Sequence, residues 1–160
     1  MVILLMGVTG SGKTTIGRAL AESLQWQFAD ADDFHPPANV AKMHAGIPLD
    51  DADRAPWLVI LRAKISNWVQ AGNDTVLACS ALKQAYRDEL MISPDVKLVY
   101  LRGSRDLIAQ RLSLRHEHYM DPGLLPSQFA ALEEPADAVV VDVDASVPEI
   151  MTRIRSAFGL

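Results

Sequence analysis

Eight residues near the start of the chain, Gly7-Val8-Thr9-Gly10-Ser11-Gly12-Lys13-Thr14, fit the spacing G-x-x-x-x-G-K-[ST] in full. Each type at its place has a chemical reason. Glycines let the backbone curl until its N–H groups face inward, where they meet phosphate oxygens. The helix that follows adds its positive N-terminal end, and the Lys13 ammonium reaches the β- and γ-phosphates of a bound nucleotide. The Thr14 hydroxyl is placed to ligate a magnesium ion. Gly7 through Thr15 are therefore the nucleotide-binding candidates, with Lys13 also catalytic and Thr14 also a metal ligand.

Two groups of charged residues could act on what this loop holds. Asp30, Asp32 and Asp33 close a short apolar segment, the place where α/β sheets put their ligand-binding groups. If the chain is extended there, alternation sets Asp30 and Asp32 on one side and Asp33 on the other. One carboxylate can hold magnesium through water while a second takes the proton of an attacking hydroxyl. A solvated acidic turn capping the next helix is the alternative; beside a phosphate loop, Asp32 reads as functional. Arg111 and Arg115 are i, i+4 on a helical segment that leads into a polar stretch at 116–126. Two guanidiniums beside a mobile loop suit phosphate neutralisation.

Other candidates read as ordinary structure. His116 and His118 are too few for a metal site. Cys79 has apolar neighbours and reads as a small buried strand residue, and Trp57 and Trp68 read as core. Val139-Val140-Val141-Asp142 has the form of the acidic strand end of motor ATPases, yet an aspartate capping a turn fits it better. No Asn-Lys-x-Asp guanine signature is present.

The elements that must position these residues alternate along the chain. Strand-like runs fall at Val2–Met6, 26–30, 75–79, 96–101 and 138–143. Helical patterns fall at Lys13–Leu24, at 37–45 with Pro first and Gly46 last, at 55–71 behind an Asp53 cap, and at 82–91. Two more run from Ser104 or Asp106 to about Arg115 and over Val147–Phe158. Strand–helix repetition of this kind implies an α/β fold with a parallel sheet and helices on both faces.

The length of 160 residues suits one domain, 1–160, and 49% hydrophobic with 22% charged residues excludes a disordered chain. A formal net charge of −5 argues against general nucleic-acid binding. It leaves room for a local cationic cleft that takes a small anion. A single cysteine excludes an internal disulfide and a cysteine-based zinc site. The apolar opening run is too short for a signal peptide or a membrane span, so the expectation is a cytoplasmic protein without a membrane partner.

Beyond the phosphate loop, further blocks carry a resemblance. Asp-Ala-Asp-Asp-Phe-His-Pro-Pro at 30–37, Asn-Val-Ala-Lys-Met at 39–43, Gly-Ile-Pro-Leu-Asp-Asp at 46–51 and Asp53-Arg54 with Pro56-Trp57-Leu58 form one set. Cys-Ser-Ala-Leu-Lys at 79–83 with Tyr86-Arg87-Asp88, Tyr-Leu-Arg-Gly-Ser at 100–104, Arg111-Leu112 with Arg115, and Ser127-Gln128-Phe129 form another. Together with the loop they resemble the gluconate kinases, in the same order over nearly the whole chain. Two departures are Ala31, where the family usually has Gly, and His116-Glu117-His118, which replaces a usual glycine before the lid histidine.

The resemblance implies a phosphate-loop fold of the nucleoside-monophosphate-kinase type, with a five-stranded parallel sheet and a moving lid at about 112–126. The implied reaction is ATP plus D-gluconate giving 6-phosphogluconate and ADP, with magnesium. Asp32 becomes the base at the acceptor hydroxyl and Asp30 lies near the metal. His35, Arg54, Lys83 and Arg87 surround the sugar acid, Arg111 and Pro148 sandwich adenine, and Arg115 acts on the transferred phosphate. Another aldonate or shikimate is the nearest competing acceptor, and a non-catalytic nucleotide switch is a competing class. Oligomeric state stays open, a homodimer included.

Overall fold

In the computed structural model, which describes residues 1–114, 123 and 125–160, the apolar run Val2–Met6 forms strand β1 with every side chain buried. Alternation sends Ile3 and Leu5 into one core and Val2, Leu4 and Met6 into another, which is why the run carries no polar residue. Four strands lie parallel to the sheet direction it sets: β2 (Gln27–Asp30), β3 (Thr75–Ala78), β4 (Val96–Arg102) and β5 (Val139–Asp142). Their order is β2-β3-β1-β4-β5. This is the expected five-stranded parallel sheet.

Helices cover both faces. On the Ile3 side, α1 (Lys13–Leu24), α5 (Arg105–Ser113), α6 (Leu125–Ala131) and α7 (Val147–Phe158) bury Leu20, Ile108, Leu125 and Ile154. On the opposite side, α3 (Asp51–Ala71) and α4 (Gln84–Leu90) bury Trp57, Leu61, Ile65 and Leu90. Each such side chain contributes roughly 1.5–3 kcal/mol by leaving water. A short helix, α2 (Pro37–His44), lies between β2 and α3 in the chain. Among the described residues no helix is long and apolar enough to cross a membrane.

The register decides where the chemistry lies. Leu5 of β1 pairs with Ala78 of β3, and Ala78 pairs with Asp30 of β2. The strand ends therefore share one row, and the Gly7 N–H donates across to Ser80 O at 3.3 Å. Because β1 has β3 on one side and β4 on the other, this row borders the crevice where open α/β sheets bind ligands. Asp142 stands away from it, bonded to Arg102 on the neighbouring strand at 2.8 and 3.2 Å.

Three local readings of the sequence need correction. The first is the acidic cluster: Ala31–Phe34 is a 3₁₀ turn and not extended chain, capped by Asp30, whose carboxylate accepts the Asp32 N–H at 3.0 Å. Strand alternation therefore does not sort these carboxylates. Ala31, buried at zero exposure, has no left-handed φ, so the family's glycine is dispensable here. The second is α3, which begins at Asp51 instead of 55. Asp50 is its cap, and Asp53 is the third helical residue of a capping box, accepting the Asp50 N–H at 3.0 Å while Asp50 accepts the Asp53 N–H at 2.7 Å. Pro56 lies inside the helix. The third is α6, whose first two residues fall in the polar stretch at 116–126 and whose remainder carries no helix expectation. Pro126 near its start and Leu125, Phe129 and Leu132 at i, i+4, i+7 were the available signal.

The link from β3 to α4 carries strain and a clamp. Ala81 is buried with φ 44°, a left-handed conformation that costs a non-glycine residue roughly 1–2 kcal/mol. Arg87 holds it: its guanidinium donates to Ala81 O (2.8 Å), Leu82 O (3.0 Å), Gln84 Oε1 (2.9 Å) and Glu133 O (2.7 Å). Arg87 is 1% exposed. It is therefore not placed beside the sugar acid, as the resemblance implied, because its two terminal nitrogens are spent on three backbone carbonyls and the Gln84 side chain around the turn before Lys83, while Nε is buried without a partner among the described residues. Arg87→Met should lower stability by about 2–4 kcal/mol in urea denaturation, since it strands buried carbonyls. A variant of parental stability with weakened acceptor binding would return Arg87 to the acceptor site.

Candidate active site

The phosphate loop is closed by its own glycines. A Cβ on Gly7 would lie 2.6 Å from Ser11 Oγ and 2.9 Å from Leu101 O, so the loop can pack here only without a side chain. Gly12, at φ 95°, is the N-cap of α1, and no side chain caps that helix. The N–H groups of its first turn are thus left to an anion. Lys13 Nζ donates to Gly7 O and Val8 O, both at 2.9 Å, which holds its charge over the loop. Ser11 Oγ is buried with no hydrogen-bond partner among the described residues. Thr15 is exposed on the first turn of α1.

Beside the loop, Thr14 Oγ1 donates to Asp30 Oδ2 at 3.0 Å. Burial raises the Asp30 carboxyl above its ordinary pKa; the Asp32 N–H and the Thr14 hydroxyl oppose this, and the charges of Asp32 and Asp33 reinforce it. A carboxylate held at such a cost next to a hydroxyl and a phosphate loop suits a hard cation with oxygen ligands. No group of three or more His, Cys, Asp or Glu among the described residues could hold a metal unaided. Magnesium fits that, because it takes one or two protein ligands and completes its shell with phosphate and water.

A cleft with about 300 Å³ of room adjoins the loop and is lined by Asp32, His35, Arg54, Trp57, Lys83 and Gln128, among others. The Asp32 side chain keeps 66% of its surface and lies 3.5 Å from His35 Nε2. Partial burial pulls its pKa upward, but the His35 ring N–H and the charge of Lys13 outweigh this, so the net displacement is downward. Asp32 is held as the carboxylate.

The opposite charge gathers around Tyr86. Arg54 donates to Leu49 O at 2.7 Å and to Tyr86 Oη at 3.2 Å. Tyr86 Oη donates to Asp51 Oδ1, and Lys83 Nζ donates to the same oxygen at 3.1 Å. The bond to Asp51 raises the Lys83 pKa, and the bonds from Tyr86 and Lys83 lower that of Asp51. The capping box makes this possible, since starting α3 at Asp51 puts Asp51 and Arg54 one turn apart on a single face.

Asp30 is thus bonded to Thr14 of the loop, and Asp32, Arg54 and Lys83 line one cleft. His35 lines the cleft but turns its ring nitrogens to protein groups. Arg111 donates to Val143 O at 2.6 Å, just after β5, and Pro148 is exposed at the start of α7. Arg115 and most of the expected lid lie outside the described residues. Cys79 is buried, with its thiol pushed up to about 12 by burial, and is inert. Residues to which the sequence assigned no site role include Asp51, Tyr86 and Gln128, whose Oε1 accepts the Thr9 N–H at 2.6 Å. Trp57 is core, as expected, yet it also borders the cleft.

A phosphate loop on a five-stranded parallel sheet, beside a cleft lined by the Asp32 carboxylate and by Arg54 and Lys83, defines a phosphate-loop kinase for a small acceptor. The shikimate kinase family model matches residues 9–157. A gluconokinase of Gluconobacter oxydans (strain 621H) is 47% identical over 84% of this chain and 76% of its own. A probable gluconokinase of Mus musculus is 44% identical over 98% and 96%. The crystal structure of a gluconokinase from Sinorhizobium meliloti 1021 superposes with a TM-score of 0.87 at 38% identity, covering 99% of this chain and 91% of that one. The chain belongs to the gluconokinase family of these kinases.

Asp30 gives a test of site geometry that needs no ligand. Its folded carboxyl binds a proton more tightly than the unfolded one, so stability falls as pH rises from the ordinary carboxylate pKa to the raised one. The penalty grows with pH as the carboxyl ionises. Asp30→Asn keeps the cap and removes the charge, so it should melt above the parent at pH 7. The gap should close as pH drops below about 4. Melting curves between pH 3 and 7 check this; a lower-melting variant at pH 7 would contradict the site's electrostatics.

Proposed function

We propose that the chain transfers the γ-phosphoryl group of ATP to D-gluconate, giving 6-phospho-D-gluconate and ADP, with the cleft as the acceptor site. The observation that carries this is that Arg54, Lys83 and Asp32 line one cleft, whose Ser80 and Gln128 are bonded to the phosphate loop at Gly7 and Thr9. In a protein with a net charge of −5 these two cations, held in the free cleft by Asp51 and Tyr86, offer an anionic acceptor its partners.

The loop amides and the α1 N-terminus cradle the ATP phosphates, and Lys13 follows the migrating group. Asp32, held ionised, accepts the proton of the attacking hydroxyl. Magnesium, when bound, would be held by Thr14 with Asp30 beside it and would neutralise phosphate charge. Arg54 and Lys83 bind the carboxylate, and Lys83 exchanges Asp51 for it. Arg111 and Pro148 flank adenine, supported by the Arg111 anchor at Val143 near the start of α7. Arg115 stabilises the transferred phosphate. We place the enzyme in the cytoplasm, with its single reduced cysteine.

A screen of ADP formation over sugar acids, their neutral analogues and shikimate tests the acceptor. A hydrogen bond to a charged group contributes roughly 1.5–3 kcal/mol, and two cations bind the carboxylate, so replacing gluconate by glucitol should lower kcat/KM at least about 100-fold. Lys83→Met should shrink that preference by weakening gluconate alone. Equal turnover of glucitol, or faster turnover of shikimate, overturns the assignment.

Asp32→Asn tests the base. The transfer step should slow by about 10²–10⁴ while ATP affinity stays near the parent value. Single-turnover kinetics with ATP titration separates the two. An unaffected rate would remove Asp32 from the proton transfer.

A further inference from the structure

The His35 ring is fixed on every side. Its side chain is 3% exposed. It stacks on Trp57 with 4.4 Å between centroids and 13° between planes. Trp57 is fixed in turn, since its Nε1–H donates to Ala31 O at 2.7 Å. Nδ1 of His35 lies 3.2 Å from Asn39 Nδ2, and the same Nδ2 donates to Asp53 O at 2.8 Å. A backbone carbonyl can only accept, so the amide nitrogen of Asn39 must face it. Nδ1 therefore meets an N–H donor and must be the acceptor. The imidazole proton is assigned to Nε2, which faces Asp32 Oδ1 at 3.5 Å.

We propose that His35 is a positioning residue for the proton-accepting carboxylate: its Nε2–H, oriented by Asn39, holds Asp32 Oδ1 and so turns the other oxygen toward the acceptor hydroxyl. The inference rests on the reading of Asp32 as the base. The need is physical. A carboxylate with 66% of its surface in solvent samples several rotamers, and only one of them aims an oxygen at the acceptor. A donor on a buried, stacked ring selects that rotamer at no further entropic cost. The contact is longer than a full hydrogen bond in the open cleft and shortens when an acceptor fills it. This also removes His35 from the acceptor-binding set, because Nδ1 and Nε2 are both directed at protein groups.

A kinetic double-mutant cycle separates positioning from general support. His35→Leu should lower kcat about 10- to 50-fold with the acceptor KM within about 3-fold, and His35→Gln, which returns a donor near Nε2, should recover most of the loss. In an Asp32→Asn background the same His35→Leu change should cost less than about 2-fold, because the carboxylate it positions is gone. Equal losses in both backgrounds, or a loss confined to acceptor KM, overturn the proposal. A parallel measurement needs no variant: ¹⁵N NMR of the ligand-free parent should show His35 protonated at Nε2 and bare at Nδ1, and the opposite tautomer overturns it. The cycle is run with whichever acceptor the parent phosphorylates. Failure on gluconate then overturns the acceptor assignment without deciding the role of His35.

Discussion

The parallel pairing of β1 with β3, and of β3 with β2, aligns Leu5, Ala78 and Asp30 in one row, and the active site is built on the edge of that row. From Leu5 the chain enters the phosphate loop, from Ala78 it enters the strained turn to Lys83, and from Asp30 it enters the acidic 3₁₀ turn. Three chemically distinct loops therefore start within a few residues of each other without any direct bond between them being required. The register is held by burial on both faces of β1. A slip of one residue would exchange the Ile3 and Leu5 side chains with those of Leu4 and Met6 and disrupt both cores at once.

Several features around that row are unfavourable for the fold alone. Burial raises the Asp30 pKa, Ala81 sits at φ 44°, and Ser11 Oγ is buried without a partner among the described residues. The first and last become reasonable if a ligand completes them, since a cation relieves Asp30 and a phosphate can satisfy groups in the loop. Arg87 shows how the scaffold tolerates such strain. Four hydrogen bonds from one guanidinium hold the turn in place, and the cation that faces the cleft is its neighbour Lys83. The Asp51–Tyr86–Arg54–Lys83 network keeps the ligand-free cleft close to charge balance, so the cations are not left repelling one another before the acceptor arrives.

Most of the architecture was legible before the fold was known. An all-apolar strand, a complete phosphate-loop spacing and helix stripes with glycine stops are local patterns, and each implies one structure because period and backbone freedom leave few others. Lys13, Thr14 and Asp32 could be named for the same reason: their roles follow from a motif or from a strand end. Misreadings arose where two local signals competed. Asp53 suggested the cap of a helix from 55, but its reciprocal bonds with Asp50 begin the helix at Asp51; the acidic run suggested strand alternation, but the Asp30 carboxylate caps a turn.

The sequence by itself determined the strand–helix order, the phosphate loop and the presence of carboxylates and cations suited to an anionic acceptor. Only the tertiary structure decided which of those cations face the cleft. Lys83 and Arg87 are four residues apart and both cationic, yet one lines the cleft and the other is spent on Ala81, Leu82, Gln84 and Glu133. Nothing in a one-dimensional pattern separates them, because the carbonyls that engage Arg87 come partly from a segment 46 residues away. The same holds for His35, whose proton is located by Asn39 only because Asp53, 14 residues farther on, presents its carbonyl to the same amide.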